Sequence, residues 1–148
     1  MKKTILIPSV VAVLAGGALF AQQNQKKSEG EVPQAVLKAF QRDYPNVKDV
    51  DWDAEDGAFE AEFDLNKQEI SVTYSATGQK QETETEIALS ELPANIQAYA
   101  QKKNLGKIKE ASKIVNADGS TTYEAEVKNG DAIFDQNGNF LKINQDKD

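Results

Sequence analysis

Three short stretches of this chain occur twice, in the same order. Val32-Pro33 returns as Leu92-Pro93, Phe59-Glu-Ala-Glu-Phe63 as Tyr123-Glu-Ala-Glu-Val127, and Tyr74-Ser-Ala-Thr-Gly78 as Phe134-Asp-Gln-Asn-Gly138. The separations are 60, 64 and 60 residues, which a duplication with one altered loop explains more economically than coincidence. Two copies are too few for a solenoid, whose stability generally needs at least three stacked units. The chain is thereby restricted to a pseudo-symmetric domain or tandem pair made from one supersecondary unit used twice.

That unit opens with a helix. Pro33 suits a first turn, where no amide proton is needed, and Val36, Leu37, Phe40 and Tyr44 recur at helical spacing until Pro45 ends the element. In the second copy Leu92, Ile96, Tyr99 and Ala100 form the stripe, with Gly106 as a stop. Period-two segments follow: Val50 and Trp52; Phe59, Ala61, Phe63 and Leu65; Ile70, Val72 and Tyr74; Thr83, Thr85 and Ile87. The second copy gives Tyr123, Ala125 and Val127; Ala132 and Phe134; Leu141 and Ile143. Asp56-Gly57, Asp118-Gly119 and Asn137-Gly138 read as hairpin turns. The expectation is an α+β fold of two tandem helix-plus-antiparallel-meander repeats, 32–87 and 92–145, with helices on one face of the sheet and the other face open. Its core residues would be Leu37, Trp52, Phe59, Phe63 and Tyr74 in the first repeat, and Ile96, Tyr99, Tyr123, Val127 and Phe134 in the second.

Ahead of the repeats, Met1-Lys2-Lys3 is a basic start, Ile5 to Phe20 an apolar stretch and Ala21 a small residue before polar Gln22, so residues 1–21 read as a cleaved signal peptide. A membrane anchor needs about 20 apolar residues, and Pro8, Ser9 and the short span argue against one. Residues 22–31 carry no apolar side chain and read as a disordered tether. The mature chain would be exported, without membrane insertion.

Composition narrows function chiefly by exclusion. The chain has no Cys and no His, which removes thiol nucleophiles, imidazole bases and Cys/His zinc sites. Without disulfides, a hydrophobic core must hold an exported fold together. Beyond residue 21 the net charge is −9, which disfavours nucleic acid and anionic membranes as partners. Residues 49–91 hold 13 acids against Lys67 and Lys80, so the acidity belongs mainly to the first repeat.

The run Val32-Pro33, Phe40, Tyr44-Pro45, Val50-Asp-Trp52, Phe59-Glu-Ala-Glu-Phe63, Tyr74 and Gly78, used again in the second half, resembles the PepSY-like family of exported bacterial proteins. The likeness spans roughly residues 32–145 and implies a fold similar to β-lactamase-inhibitor protein. The second copy departs from it in lacking a Trp equivalent to Trp52. It implies a periplasmic or secreted protein of the Gram-negative envelope that binds or inhibits another protein, and it carries over no catalytic set.

Three clusters could bear chemistry. Asp49, Asp51, Asp53 and Glu60 stand at calcium-loop positions 1, 3, 5 and 12, but Ala54 occupies the place of the turn glycine, and Val50 and Trp52 alternate as a strand would. Glu60, Glu62 and Asp64 share one strand face and Glu82, Glu84 and Glu86 another, which on neighbouring strands would crowd carboxylates on the open side. Ile133 and Phe140 have the parity of that side too, which would make them a protein-binding patch. Glycoside hydrolysis needs a carboxyl pair in a cleft, which an exposed strand row does not offer. The expected function is a non-catalytic periplasmic binding or inhibitory module acting on an envelope protein. The alternative is a calcium-responsive protein using the acidic face; no other cofactor is expected.

Overall fold

The structure is a computed structural model that describes residues 25–27 and 29–145. The expected signal peptide lies outside the described residues, as do positions 22–24 and 28 of the expected tether. Helix α1 (Gln34–Asp43) begins directly after Pro33, and its Val36, Ala39 and Phe40 are buried. Four strands follow: β2 (Asp51–Glu55), β3 (Ala58–Leu65), β4 (Gln68–Ser75) and β5 (Lys80–Glu86). The second copy repeats the order with α2 (Ala94–Lys102), β6 (Ala111–Asn116), β7 (Thr121–Val127), β8 (Gly130–Asp135) and β9 (Phe140–Gln145). A further strand, β1 (Gln25–Lys27), pairs with β2 inside the stretch read as a tether. The ordered fold therefore begins before Val32.

Among the described residues, all nine strands form one antiparallel sheet in simple chain order, β1 to β9. The repeats are joined by the β5–β6 ladder, which runs from Glu82 opposite Asn116 to Glu86 opposite Ser112. Register carries one parity across the whole sheet: Trp52, Ala61, Val72, Thr83, Val115 and Thr121 lie in a line on one side. The α1 residues cluster with Trp52, Ala61, Phe63, Val72 and Tyr74 of this parity. Leu92 and the α2 residues Ile96 and Ala100 cluster with Ala111, Ala125, Val127, Ala132 and Phe134, also of this parity. Phe40 is the hub of the first cluster, with its ring centroid 5.3 Å from those of both Trp52 and Phe63. Of the expected core residues, Trp52, Phe63, Tyr74, Ile96, Val127 and Phe134 are buried, whereas Leu37, Phe59, Tyr99 and Tyr123 pack at the margins.

Pairing also aligns the copies. Trp52 lies opposite Ala61 and Ala111 opposite Ala125, so Ala111 holds the place of the tryptophan in the second repeat. Each repeat has a bulge at the same point: Gln81 of β5 is the extra residue opposite the Thr73–Tyr74 step of β4, and Leu141 of β9 the extra residue opposite the Ile133–Phe134 step of β8. The repeated hairpin glycine has a steric reason: φ is +81° at Gly78, and a Cβ there would lie 2.5 Å from the Ala35 carbonyl oxygen in the first turn of α1. At Gly138 the hairpin meets α2, whose Asn95 amide donates to the carbonyl oxygens of Asn137 (2.8 Å) and Gly138 (3.0 Å).

Candidate functional site

Residues of the opposite parity form the sheet face that neither helix cluster uses. Across its middle runs a row in which acid and hydroxyl alternate by strand: Glu60 on β3, Ser71 on β4, Glu84 on β5, Ser112 on β6 and Glu124 on β7. Ser71 is directly opposite Glu84, Ser112 opposite Glu124, and Glu124 opposite Ile133. The row is deeply buried for a polar face, with Glu60 at 2%, Glu84 at 4% and Glu124 at 7% exposure. Ile114 and Ile133, on the same side, are buried beside it.

Charges from other strands also reach the row: Lys142 on β9 acts electrostatically on Glu82 of β5, and Asp131 on β8 acts on Glu84.

Burial then decides protonation. Removing a carboxylate from water disfavours its charged form. It pushes Glu60 up to about 8 against the Ser71 hydrogen bond to its Oε1, with Glu62, Glu84 and Asp53 adding like charge. Burial similarly raises Glu84 to about 7, opposed by a hydrogen bond from Ser112, and Glu124 to about 9, where Glu84, Asp131, Glu82 and Glu126 reinforce it. One oxygen of each group, Glu60 Oε2, Glu84 Oε1 and Glu124 Oε2, has no hydrogen-bond partner.

The sequence-derived candidates are redistributed by this geometry. Glu60 and Glu84 are buried rather than displayed, Glu62 and Glu82 are half-buried, and Asp64 and Glu86 are exposed. The carboxylates expected to crowd at the surface thus include two whose protonated form burial favours. Asp51 and Asp53 lie along an extended strand opposite Glu62 and Glu60, so no loop wraps around one centre. Asp49 and Asp51 instead line an open groove of about 510 Å³ with Glu62, Asp64 and Glu69, away from Asp53 and Glu60. Among the described residues no three such side chains gather to hold one metal ion.

The expected patch does not form either. The bulge at Leu141 of β9 reverses parity, so Phe134 is opposite Phe140, and Phe140 turns to the helix side, where it stacks on Tyr99 at 4.9 Å and 13°. Leu141 becomes the exposed residue, at 54%. Ile133 does lie on the polar face but is buried in it. Reading one strand at a time passed over Glu124, Ser71 and Ser112. The repeat held the signal for the first, since Glu124 occupies in Tyr123-Glu-Ala-Glu-Val127 the position of Glu60 in the first copy.

The chain matches the family described as "Putative beta-lactamase-inhibitor-like, PepSY-like" over residues 21–81 and again over 57–142. Solved structures share its fold. A "putative periplasmic" protein of Bacteroides eggerthii aligns with TM-score 0.69 at 17% identity, over 78% of this chain and 90% of the other. A DUF2874 family protein of Bacteroides ovatus aligns with TM-score 0.65 at 20% identity, over 76% and 86%. A BLIP-like protein of Bacteroides fragilis aligns with TM-score 0.60 at 22% identity, over 76% and 86%. No curated protein matches significantly.

Proposed function

Since the chain belongs to the PepSY-like, beta-lactamase-inhibitor-like family, we propose that it is a non-catalytic module that binds and inhibits an exported protein of the bacterial envelope through the sheet face that its helix clusters leave uncovered. The observation that carries this reading is the row of buried carboxyl groups on the face the helix clusters leave uncovered, each with an oxygen lacking a partner. Such groups cost free energy while unsatisfied, and departures of this kind from full hydrogen bonding concentrate at functional surfaces. The chemistry of the row suits recognition better than hydrolysis, because its members are spread over alternate strands instead of paired across a cleft. Location in the periplasm is supported by the Bacteroides eggerthii neighbour and is consistent with the described residues, which contain no helix long and apolar enough to cross a membrane.

Site-specific photo-crosslinking in cells tests the proposal. A photoreactive residue replacing Glu62 or Glu86, on the polar side, should trap one exported protein, whereas the same residue replacing Lys38 or Gln101, on the outer surfaces of the helices, should trap none. Crosslinks arising only from the helix positions would overturn it.

A further inference from the structure

The first repeat gathers four rings under α1: the Phe40 centroid stands 5.5 Å from that of Tyr44 and 5.3 Å from those of both Trp52 and Phe63. At the corresponding positions the second repeat has Asn104, Ala111 and Val127 around Ala100, every one of them smaller. Its own rings, Tyr99, Phe134 and Phe140, pack on one another instead. Room remains beside Ala100, where the surface opens into a pocket of about 200 Å³. Leu89, Ala100 and Ile108 form its floor, and Gln97, Gln101 and Lys107 stand exposed at its rim. We propose that this pocket binds a small aromatic carboxylate, its ring over Ala100 in the place that Phe40 fills in the first repeat and its acid group at the Lys107 ammonium.

Size, charge and rigidity select that occupant. An apolar cavity of about 150 Å³ accepts benzene, so this volume suits one ring with a short side chain. Replacing large core residues by small ones leaves contacts unmade, and a ring that enters restores them. Charge points the same way. Beyond residue 21 the chain carries −9, yet residues 102–109 hold four lysines and no acid. Lys109 is ion-paired with Glu126 at 2.7 Å and Lys103 lies 6.0 Å from the Tyr99 ring centroid, whereas Lys107 stands at the pocket mouth. An ammonium at the rim of an apolar floor fixes a ligand whose polar end is a carboxylate. The walls are set before a ligand arrives. Gln97 Nε2 donates to the Leu89 carbonyl oxygen at 3.0 Å, the Leu105 amide to that of Ala100 at 3.0 Å, and the Lys109 amide to that of Glu126 at 2.9 Å. Such preorganisation lowers the ordering cost of binding. The pocket belongs to α2 and the segments beside it, so it stands apart from the sheet face proposed above to meet the partner protein.

The test is an amide NMR titration of the purified protein with hydrocinnamate, a phenyl ring on a short acid. Hydrocinnamamide keeps the ring without the charge, and propionate keeps the charge without the ring. The acid should shift the Ala100, Gly106 and Ile108 signals saturably and bind at least tenfold tighter than either control. Ala100→Phe places the ring of the first repeat in the pocket, so it should weaken the acid at least tenfold while holding or raising the thermal midpoint. If that variant fails to fold, Lys107→Gln on the exposed rim should still weaken the acid at least threefold and leave binding of the amide unchanged. Absence of saturable shifts at those three amides, equal binding of acid and amide, or undiminished binding by folded Ala100→Phe would overturn the inference.

Discussion

Glu60, Glu84 and Glu124 keep protons that the unfolded chain surrenders, and this makes stability fall as pH rises. An acid raised from its ordinary 4.5 to between about 7 and 9 contributes fully below the unfolded value, and the contribution is lost as pH climbs through the folded one. Asp118 and Asp135 act in the opposite sense. Hydrogen bonds to Ser120 and Asn139 hold them below their usual range, so their contribution disappears as pH falls through the lowered values. Thermal melts should therefore show a maximum at about pH 5 and a falling midpoint toward pH 9; Glu124→Gln should flatten that decline and raise the midpoint at pH 9. A midpoint that climbs from pH 5 to 9 would mean the row is ionised in the folded protein. Elsewhere at this scale, Phe63→Ala should cost about 3 to 5 kcal/mol in denaturant titration, because Phe63 fills the core against Phe40 and Tyr44. Phe140→Ser should be destabilising too, by about 2 to 4 kcal/mol, where a surface anchor would have left stability nearly unchanged. Alternation in the sequence revealed which face Glu60 and Glu84 occupy but carried no information on how deeply the fold buries them there.

Regular elements were legible wherever period and punctuation agreed. Both helices follow Pro33 and Pro93 as expected, and β3, β4, β7 and β8 coincide with the alternating runs. Strand β6 escaped notice because its helix-side positions are Ala111, Lys113 and Val115, a small residue and a charge that blur the apolar alternation, while Ile114 points to the polar side. Strand β9 was assigned the wrong parity at its start, since a bulge inserts one residue and leaves composition unchanged. The β1 edge had no apolar signal at all, being held by backbone pairing to β2. Helix–hairpin docking supplies a prediction at this scale. Gly78→Ala combines a positive φ with a backbone clash against Ala35, so it should cost about 2 kcal/mol or more and speed hydrogen exchange in the first turn of α1. Gly57→Ala, equally positive in φ but with no atom near its Cβ, should cost about 1 kcal/mol.

Over the whole molecule, two hydrophobic clusters are joined by a ladder whose helix-side residues are Thr83, Thr85, Lys113 and Val115, the last 40% exposed. So little apolar contact at the seam means the halves share backbone hydrogen bonds more than a core. Native-state hydrogen exchange on Phe134→Ala should show β7, β8 and α2 opening at reduced free energy, with α1 amides protected nearly as in the parent protein. An equal loss of protection in α1 would make the sheet a single cooperative unit. The seam also bears on how such a protein can grow. Strand β5 has β6 on its far side, whereas its counterpart β9 is the last strand of the sheet. The short β1 covers β2 just as β5 covers β6. The sheet is thus a strip whose middle imposes no limit on its extent. A third copy spliced between β5 and α2 would meet the same neighbours on either side that the present copies offer each other, so a unit used twice here carries the means to be used again.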